Sequence, residues 1–163
     1  YVLDALAAEA LPESVRLRDY SPINVAAGQA LIAERGLQKV ATFDEVNAYE
    51  RANYQNLNPR PTLGIVSGLH ELFPDNDLIL QSLYGFGDAI EPGGYLIYTG
   101  QPWHPQLEMI ARCLSSLREG QDWVMRRRSQ QEMDQLVEKA GFEKVHQWID
   151  DDGIFTVSLA VKK

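Results

Sequence analysis

The stretch that decides the fold is Val15-Arg-Leu-Arg-Asp-Tyr-Ser-Pro22. Its first four residues predict a short strand, and Asp19 stands at the carboxyl end of that strand. Ser21 and Pro22 predict a helix start, because serine can accept a hydrogen bond from an unpaired backbone N–H and proline suits the first helical position. Open α/β sheets bind ligands at the carboxyl ends of their strands, and a carboxylate there can accept hydrogen bonds from the ribose hydroxyls of a nucleoside. The alternative is that Asp19 only stabilises the positive end of the following helix.

Apolar periodicity on both sides of this stretch alternates between strand and helix, which is typical of an α/β domain with a mostly parallel sheet. A helical face is also predicted over residues 2–10. Residues 63–67 form a short, mostly apolar segment that predicts a fully buried strand, while Ser129 and Glu132 predict a capping box. Asp151-Asp152-Gly153 predicts a closing hairpin. The further predicted strands are 39–43, 95–99, 144–149 and 154–161, and the helices are 22–35, 75–90, 107–117 and 130–140.

Composition bounds the class of protein. The chain has 163 residues, so we expect one domain over 1–163. Its formal net charge of -8 argues against nucleic-acid binding, which needs clustered cations. No apolar run reaches the roughly 20 residues of a membrane span, and the first residues do not resemble a signal peptide. A lone cysteine, Cys113, fits a reducing compartment, so we expect a cytoplasmic location.

Further motifs follow Asp19 in a fixed order: Asn47-Ala48, Ser67-Gly-Leu-His-Glu71 and Glu91-Pro-Gly-Gly-Tyr-Leu-Ile97. In residue type and order, the chain resembles a class I S-adenosylmethionine-dependent methyltransferase, entered just after the glycine-rich turn that holds the cofactor. The resemblance implies a Rossmann-like sheet, mostly parallel with an antiparallel C-terminal hairpin. It also implies S-adenosylmethionine as cofactor and an N-terminally incomplete domain that lacks the family's first strand.

Three longer segments, 67–73, 98–106 and 123–128, indicate a particular subgroup of this family. They are similar to a bacterial group of methyltransferases that are sometimes fused to an α/β-hydrolase. This likeness implies a small-molecule or lipid-related methyl acceptor and a fused hydrolase domain as a partner. The rival hypothesis is a non-catalytic fragment or scaffold that keeps the fold and binds no cofactor.

The resemblance assigns a cofactor role to residues after three strands. Asp19 is expected to bind the ribose, with Tyr20 bordering the same pocket. Asn47, followed by Ala48, stands where the family commonly has an acidic residue facing the adenine; its amide oxygen could accept the same hydrogen bond. A loop asparagine chosen for turn geometry is the alternative. Ser67 and Gly68 are expected at the methionine end, since glycine lets the backbone approach a ligand closely.

Acceptor chemistry is expected on two loops. His70 and Glu71 follow the strand at 63–67, and either could act as a general base. The loop Gln101-Pro-Trp-His-Pro105 is stiffened by two prolines and displays Gln101, Trp103 and His104. We expect His70, Glu71, Trp103 and His104 to converge, with His104 ranked first as the base. The alternatives are a structural histidine and a packing loop with Trp103 in the core.

A run of three arginines, Arg126-Arg-Arg128, precedes the capping box. These side chains could hold a phosphate or carboxylate. Pairing with surface acids is the favoured alternative in so acidic a chain. No nucleophile-elbow, Walker or zinc-protease motif competes, and the three scattered histidines have no metal-binding spacing.

Overall fold

A computed structural model describes residues 12–114 and 125–163; the helix predicted over 2–10 lies outside these ranges. The described residues belong to two compact units, divided after Ala48, which are treated separately below. Each predicted strand and helix inside the described ranges is present, with ends shifted by a few residues. The strands are β1 (Val15–Asp19), β2 (Ala41–Glu45), β3 (Leu63–Val66), β4 (Tyr95–Gly100), β5 (Phe142–Ile149) and β6 (Thr156–Lys162). The helices are α1 (Pro22–Glu34), α2 (Asn76–Ala89), α3 (Leu107–Cys113) and α4 (Gln130–Lys139).

The first unit contains a parallel strand pair joined by a helix. Strands β1 and β2 pair in parallel, with Val15 opposite Ala41, and α1 makes the crossover between them. Helix α1 begins as the sequence predicts: the Asn24 backbone N–H donates to Ser21 Oγ at 3.4 Å, and Pro22 is the first helical residue. The carboxyl end of β1 therefore delivers Asp19 directly to a helix N-terminus.

The second unit is built on a four-stranded sheet in the order β3-β4-β6-β5. Strands β3 and β4 are parallel, whereas β6 is antiparallel to both β4 and β5, with an irregularity in β5 between Lys144 and His146. The predicted C-terminal hairpin is thus confirmed. One face of this sheet packs with α2 and α4 around a core that contains Val66, Ile79, Leu83, Leu96, Tyr98, Leu136, Val137 and Phe142.

The prediction of a fully buried strand at residues 63–67 is wrong, because β3 is only partly buried. Gly64 and Val66 are buried, but Leu63 is 44% exposed and Ile65 43% exposed. Successive side chains of a strand point to opposite faces, and only one face of this sheet packs on the core. Among the described residues β3 is an edge strand of its sheet, and β1 belongs to the other sheet.

Helix α4 has the predicted serine cap, with the Glu132 N–H donating to Ser129 Oγ at 3.2 Å. The Glu132 carboxylate, which the predicted capping box directs to the Ser129 N–H, instead accepts from Asn76 Nδ2 at 2.9 Å and from Arg126. The start of α4 is therefore tied to the first residue of α2. Of the helices in the described ranges, none has the length and hydrophobicity that crossing a bilayer requires.

Candidate active site at the carboxyl ends of the strands

In the first unit, Asp19 is engaged by its own helix start. Its Oδ1 accepts from the Ser21 backbone N–H at 2.7 Å, and its Oδ2 accepts from Asn24 Nδ2 at 3.1 Å. These two bonds support the alternative role of Asp19, which is to stabilise the N-terminus of α1. A carboxylate has about four lone-pair positions, so two bonds leave acceptor capacity for a ribose.

The other predicted cofactor residues of this unit stand close to strand ends. Tyr20 directly follows β1 and is 74% exposed. Asn47 and Ala48 come just after β2 and are half-buried. The assignments of these three residues stay predictions.

In the second unit, the turn after β3 is open and tied to β4. Gly68 has a φ of +66°, and a Cβ built there would meet no atom of the described residues within 4 Å. The Gly68 N–H donates to Thr99 Oγ1 at 2.8 Å, which joins the carboxyl ends of the two parallel strands. Ser67, just before it, is exposed. The turn thus presents backbone at the edge where open α/β sheets bind ligands.

His70 lies inside the protein. Its ring Nε2 is 3.3 Å from Ser82 Oγ, and its backbone carbonyl accepts from Arg128 Nη1 at 2.7 Å. Burial, reinforced by the charge of Arg128, lowers the pKa of His70 to about 3. The imidazole is therefore neutral at physiological pH and packed as a structural group.

Glu71 differs from its neighbour, although it is only 6% exposed. Its Oε1 accepts from Thr99 Oγ1 at 3.4 Å, while Oε2 is buried and has no hydrogen-bond partner among the described residues. Burial raises the pKa of Glu71, and the charges of Arg127 and Arg128 partly oppose that rise. A buried carboxyl group with a raised pKa and an unused oxygen is suited to proton transfer.

A cavity of about 10 Å³, room for a single water molecule, lies beside Glu71. His70, Glu71 and Gln101 all line it, but Trp103 and His104 do not. Of the four residues predicted to converge near the transferred methyl group, His70 and Glu71 thus line this cavity, and the convergence itself stays a prediction. The full lining is His70, Glu71, Thr99, Gly100, Gln101, Pro102, Arg126, Arg128, Ser129, Gln130 and Met133.

The proline-flanked loop separates its polar residues. Gln101 is buried, and its Oε1 accepts from Arg127 Nη1. Trp103 is 57% exposed, which excludes the core position weighed for it. His104 is partly exposed, and its Nδ1 accepts from the Gln106 backbone N–H at 3.1 Å. That bond orients the ring within its own loop.

Two polar residues of this site were missed as site candidates or left undecided. Thr99, at the end of β4, links Gly68 to Glu71, and only the pairing of β3 with β4 brings it there. Arg127 belongs to the arginine run, which indicated a possible anion-binding role but not which of its three members would have it. Among the described residues no group of histidine, cysteine or acidic side chains could hold a metal ion.

These features define an α/β fold in which the candidate site residues follow the carboxyl ends of parallel strands. The model of the family described as "Putative methyltransferase" matches residues 1–162, and the chain belongs to that family. YnbC, an uncharacterized protein of Escherichia coli strain K12, is 58% identical over 163 residues, which are 100% of this chain and 28% of YnbC. The chain thus spans little more than a quarter of that relative.

Solved structures share the fold at lower identity. A possible exported protein from Bordetella parapertussis has a TM-score of 0.77 and 22% identity, and the match covers 98% of this chain and 57% of that one. A SAM-dependent methyltransferase from Methanosarcina mazei has a TM-score of 0.68 and 18% identity, with 91% and 82% covered. The methyltransferase-like, Rossmann-like fold predicted from the sequence is confirmed.

Proposed function

We propose that this chain forms part of an S-adenosylmethionine-dependent methyltransferase that acts on a protic group of a small-molecule or lipid-related acceptor. The observation that carries the proposal is the open Gly68 turn, joined through Thr99 to a buried carboxyl group with an unused oxygen. Family membership and the M. mazei neighbour support methyl transfer as the reaction. A cytoplasmic location and a fused hydrolase domain remain predictions.

The residues present fit the cofactor. The space around Gly68 accommodates a ligand close to the backbone, since even an added Cβ would meet no atom of the described residues there. Asp19 retains acceptor capacity for ribose hydroxyls, and Asn47 has an amide oxygen for the adenine amine. S-adenosylmethionine, when bound, supplies an electrophilic methyl group. The chain contributes binding, alignment and exclusion of water.

Glu71 is the base that the geometry supports best. Its unpartnered Oε2 can take the proton of a hydroxyl or amine, while Thr99 holds Oε1. His70 is a weaker candidate because its ring is buried and its pKa is lowered to about 3. His104, ranked first from the sequence, lies outside the cavity lining and keeps its Nδ1 on its own loop. We therefore place Glu71 ahead of both histidines.

The test is calorimetric titration of S-adenosylhomocysteine into the full-length protein that contains this chain. We expect saturable binding, and we expect Asp19→Ala to weaken it by about 1–3 kcal/mol, the cost of losing hydrogen bonds to a charged group. Glu34→Ala is the matched control, because it removes an exposed carboxylate at the far end of α1.

Each outcome bears on a different part of the proposal. Absence of any binding would contradict the cofactor function and favour the scaffold hypothesis. Equal affinity of wild type and Asp19→Ala would remove Asp19 from the cofactor site and leave the rest of the proposal standing.

A further inference from the structure

We propose that Arg127, held by Gln101, binds an oxyanion of the methyl acceptor, either a carboxylate or a phosphate. This inference rests on the proposed function, because it describes the methyl acceptor of that same site. The acceptor then carries two groups on one molecule: a protic group at Glu71 and an oxyanion at Arg127.

The three consecutive arginines have different environments. Arg128 is buried and donates to His70 O at 2.7 Å, to Phe73 O at 2.9 Å and to Asn76 Oδ1 at 2.7 Å. All three of its nitrogen atoms are thus used within the protein, which makes Arg128 a structural residue.

Arg126 is also engaged. Its Nη1 donates to Pro74 O at 3.0 Å, and its Nη2 pairs with Glu132. The favoured alternative for the arginine run, pairing with surface acids, therefore holds for Arg126, whereas Arg128 donates to two backbone carbonyls and an amide oxygen.

Arg127 is the exception. Its Nη1 donates to the neutral amide oxygen of Gln101, and its Nη2 is 3.7 Å from Met125 Sδ, a weak acceptor. Its Nε is buried and has no hydrogen-bond partner within the described part of the chain. A buried donor left unsatisfied is costly, so an acceptor placed there would stabilise the site.

The unsatisfied edge is the one that arginine uses for oxyanions. Elsewhere in this chain Arg51 donates to the Asp88 carboxylate through Nε at 2.5 Å and through Nη2 at 2.8 Å. The same two nitrogen atoms of Arg127 have no oxygen partner among the described residues. A planar guanidinium edge of this kind recognises carboxylate and phosphate through paired hydrogen bonds.

The charge around Arg127 also favours an anion. Burial lowers the pKa of Arg127, and Glu71 is the one group that raises it. A partly buried cation whose hydrogen-bond partner is a neutral amide is stabilised by an additional negative group.

Gln101 connects this cation to the candidate base. Its side chain binds Arg127, and it lines the same small cavity as Glu71. Gln101 is buried and holds Arg127 through this hydrogen bond, although Arg127 itself is not among the residues that line the cavity. An acceptor that reaches Glu71 with its protic group would therefore bring a neighbouring oxyanion to Arg127.

The test follows the arginine Nε–Hε resonances of the full-length protein by NMR during titration with acetate and, separately, with inorganic phosphate. Sodium chloride keeps the ionic strength constant. We expect the Arg127 resonance to shift saturably with at least one anion. Arg112 is the control, because it is exposed and pairs with Glu108 across one helical turn. Its resonance should show no saturable shift.

Two variants make the result specific. Because neither variant has the Arg127 resonance, binding is followed in wild type and both variants through the side-chain amide resonance of Gln101, the partner of Arg127. Arg127→Gln should abolish saturable binding, and Arg127→Lys should weaken it at least tenfold, because lysine keeps the charge but lacks the paired edge. Saturation by acetate alone identifies a carboxylate site, and saturation by phosphate alone identifies a phosphate site. No saturable shift with either anion, or unchanged binding by Arg127→Gln, would overturn the inference.

Titration with S-adenosylhomocysteine separates this inference from the proposed function. Arg127→Gln should bind the cofactor product within twofold of wild type, because Arg127 is assigned to the acceptor. If wild type bound the oxyanion but no S-adenosylhomocysteine, the cofactor function would fall while the oxyanion site stood. If Arg127→Gln lost both ligands, the assignment of Arg127 to the acceptor would be wrong.

Discussion

Replacing Arg128 with alanine should cost far more stability than replacing its neighbour Arg127. Arg128 is 6% exposed and makes three hydrogen bonds of 2.7–2.9 Å, two of them to backbone carbonyls. Hydrogen bonds to charged groups contribute about 1.5–3 kcal/mol each. Relief of the desolvation of the buried cation offsets part of that sum. We expect Arg128→Ala to lower the free energy of unfolding by about 3–5 kcal/mol.

Urea denaturation followed by circular dichroism at neutral pH measures this change. Arg127→Ala is the matched control, and we expect it to cost less than about 1 kcal/mol, because its main partner is a single neutral amide. Arg128→Lys should fall between the two, since lysine keeps the charge but cannot reach three divergent acceptors. A loss below about 1 kcal/mol for Arg128→Ala, or equal losses for both arginines, would refute the division between a structural and a ligand-binding arginine.

Two further predictions concern pH. The pKa of His70 is lowered to about 3 in the folded state and stays near 6.5 when unfolded, so the unfolded chain binds the proton first. Stability should fall as pH drops from about 6.5 towards 3, and His70→Gln should flatten this part of the profile in urea titrations; an unchanged slope would contradict the burial argument. The pKa of Glu71 is raised, so the folded state holds its proton more tightly and stability falls as pH rises above the unfolded value. Glu71→Gln should therefore be more stable than wild type at neutral pH, with the difference vanishing at low pH; a variant less stable than wild type at neutral pH would contradict the raised pKa.

The sequence by itself determined the order and type of the elements in the described ranges. The helix starts at Ser21-Pro22 and at Ser129 each depend on contacts within one helical turn, such as the bond from the Glu132 N–H to Ser129 Oγ. The local sequence is therefore enough to predict them. The hairpin at residues 151–153 is equally local. The motif order also indicated the methyltransferase family, which the family match confirms.

Burial could not be predicted with the same success. Residues 63–66 carry no polar side chain, but only alternate residues of β3 reach the core, because among the described residues one face of its sheet is packed by helices. Trp103 is exposed despite its size. Burial depends on which elements cover a surface, and a single segment does not contain that information.

The candidate site was decided by contacts between residues far apart in sequence. Thr99 joins Gly68 and Glu71 across 31 and 28 positions, and Gln101 meets Arg127 across 26. Asp19, Gly68 and Glu71 were predicted as site residues because they follow predicted strands, and their roles stay predictions. Which of three adjacent arginines is structural, and which histidine is buried, depends on partners that only the folded chain supplies. Strand ends locate a site by local pattern, whereas hydrogen-bond partners and desolvation, which set the chemistry of each side chain, arise from tertiary packing.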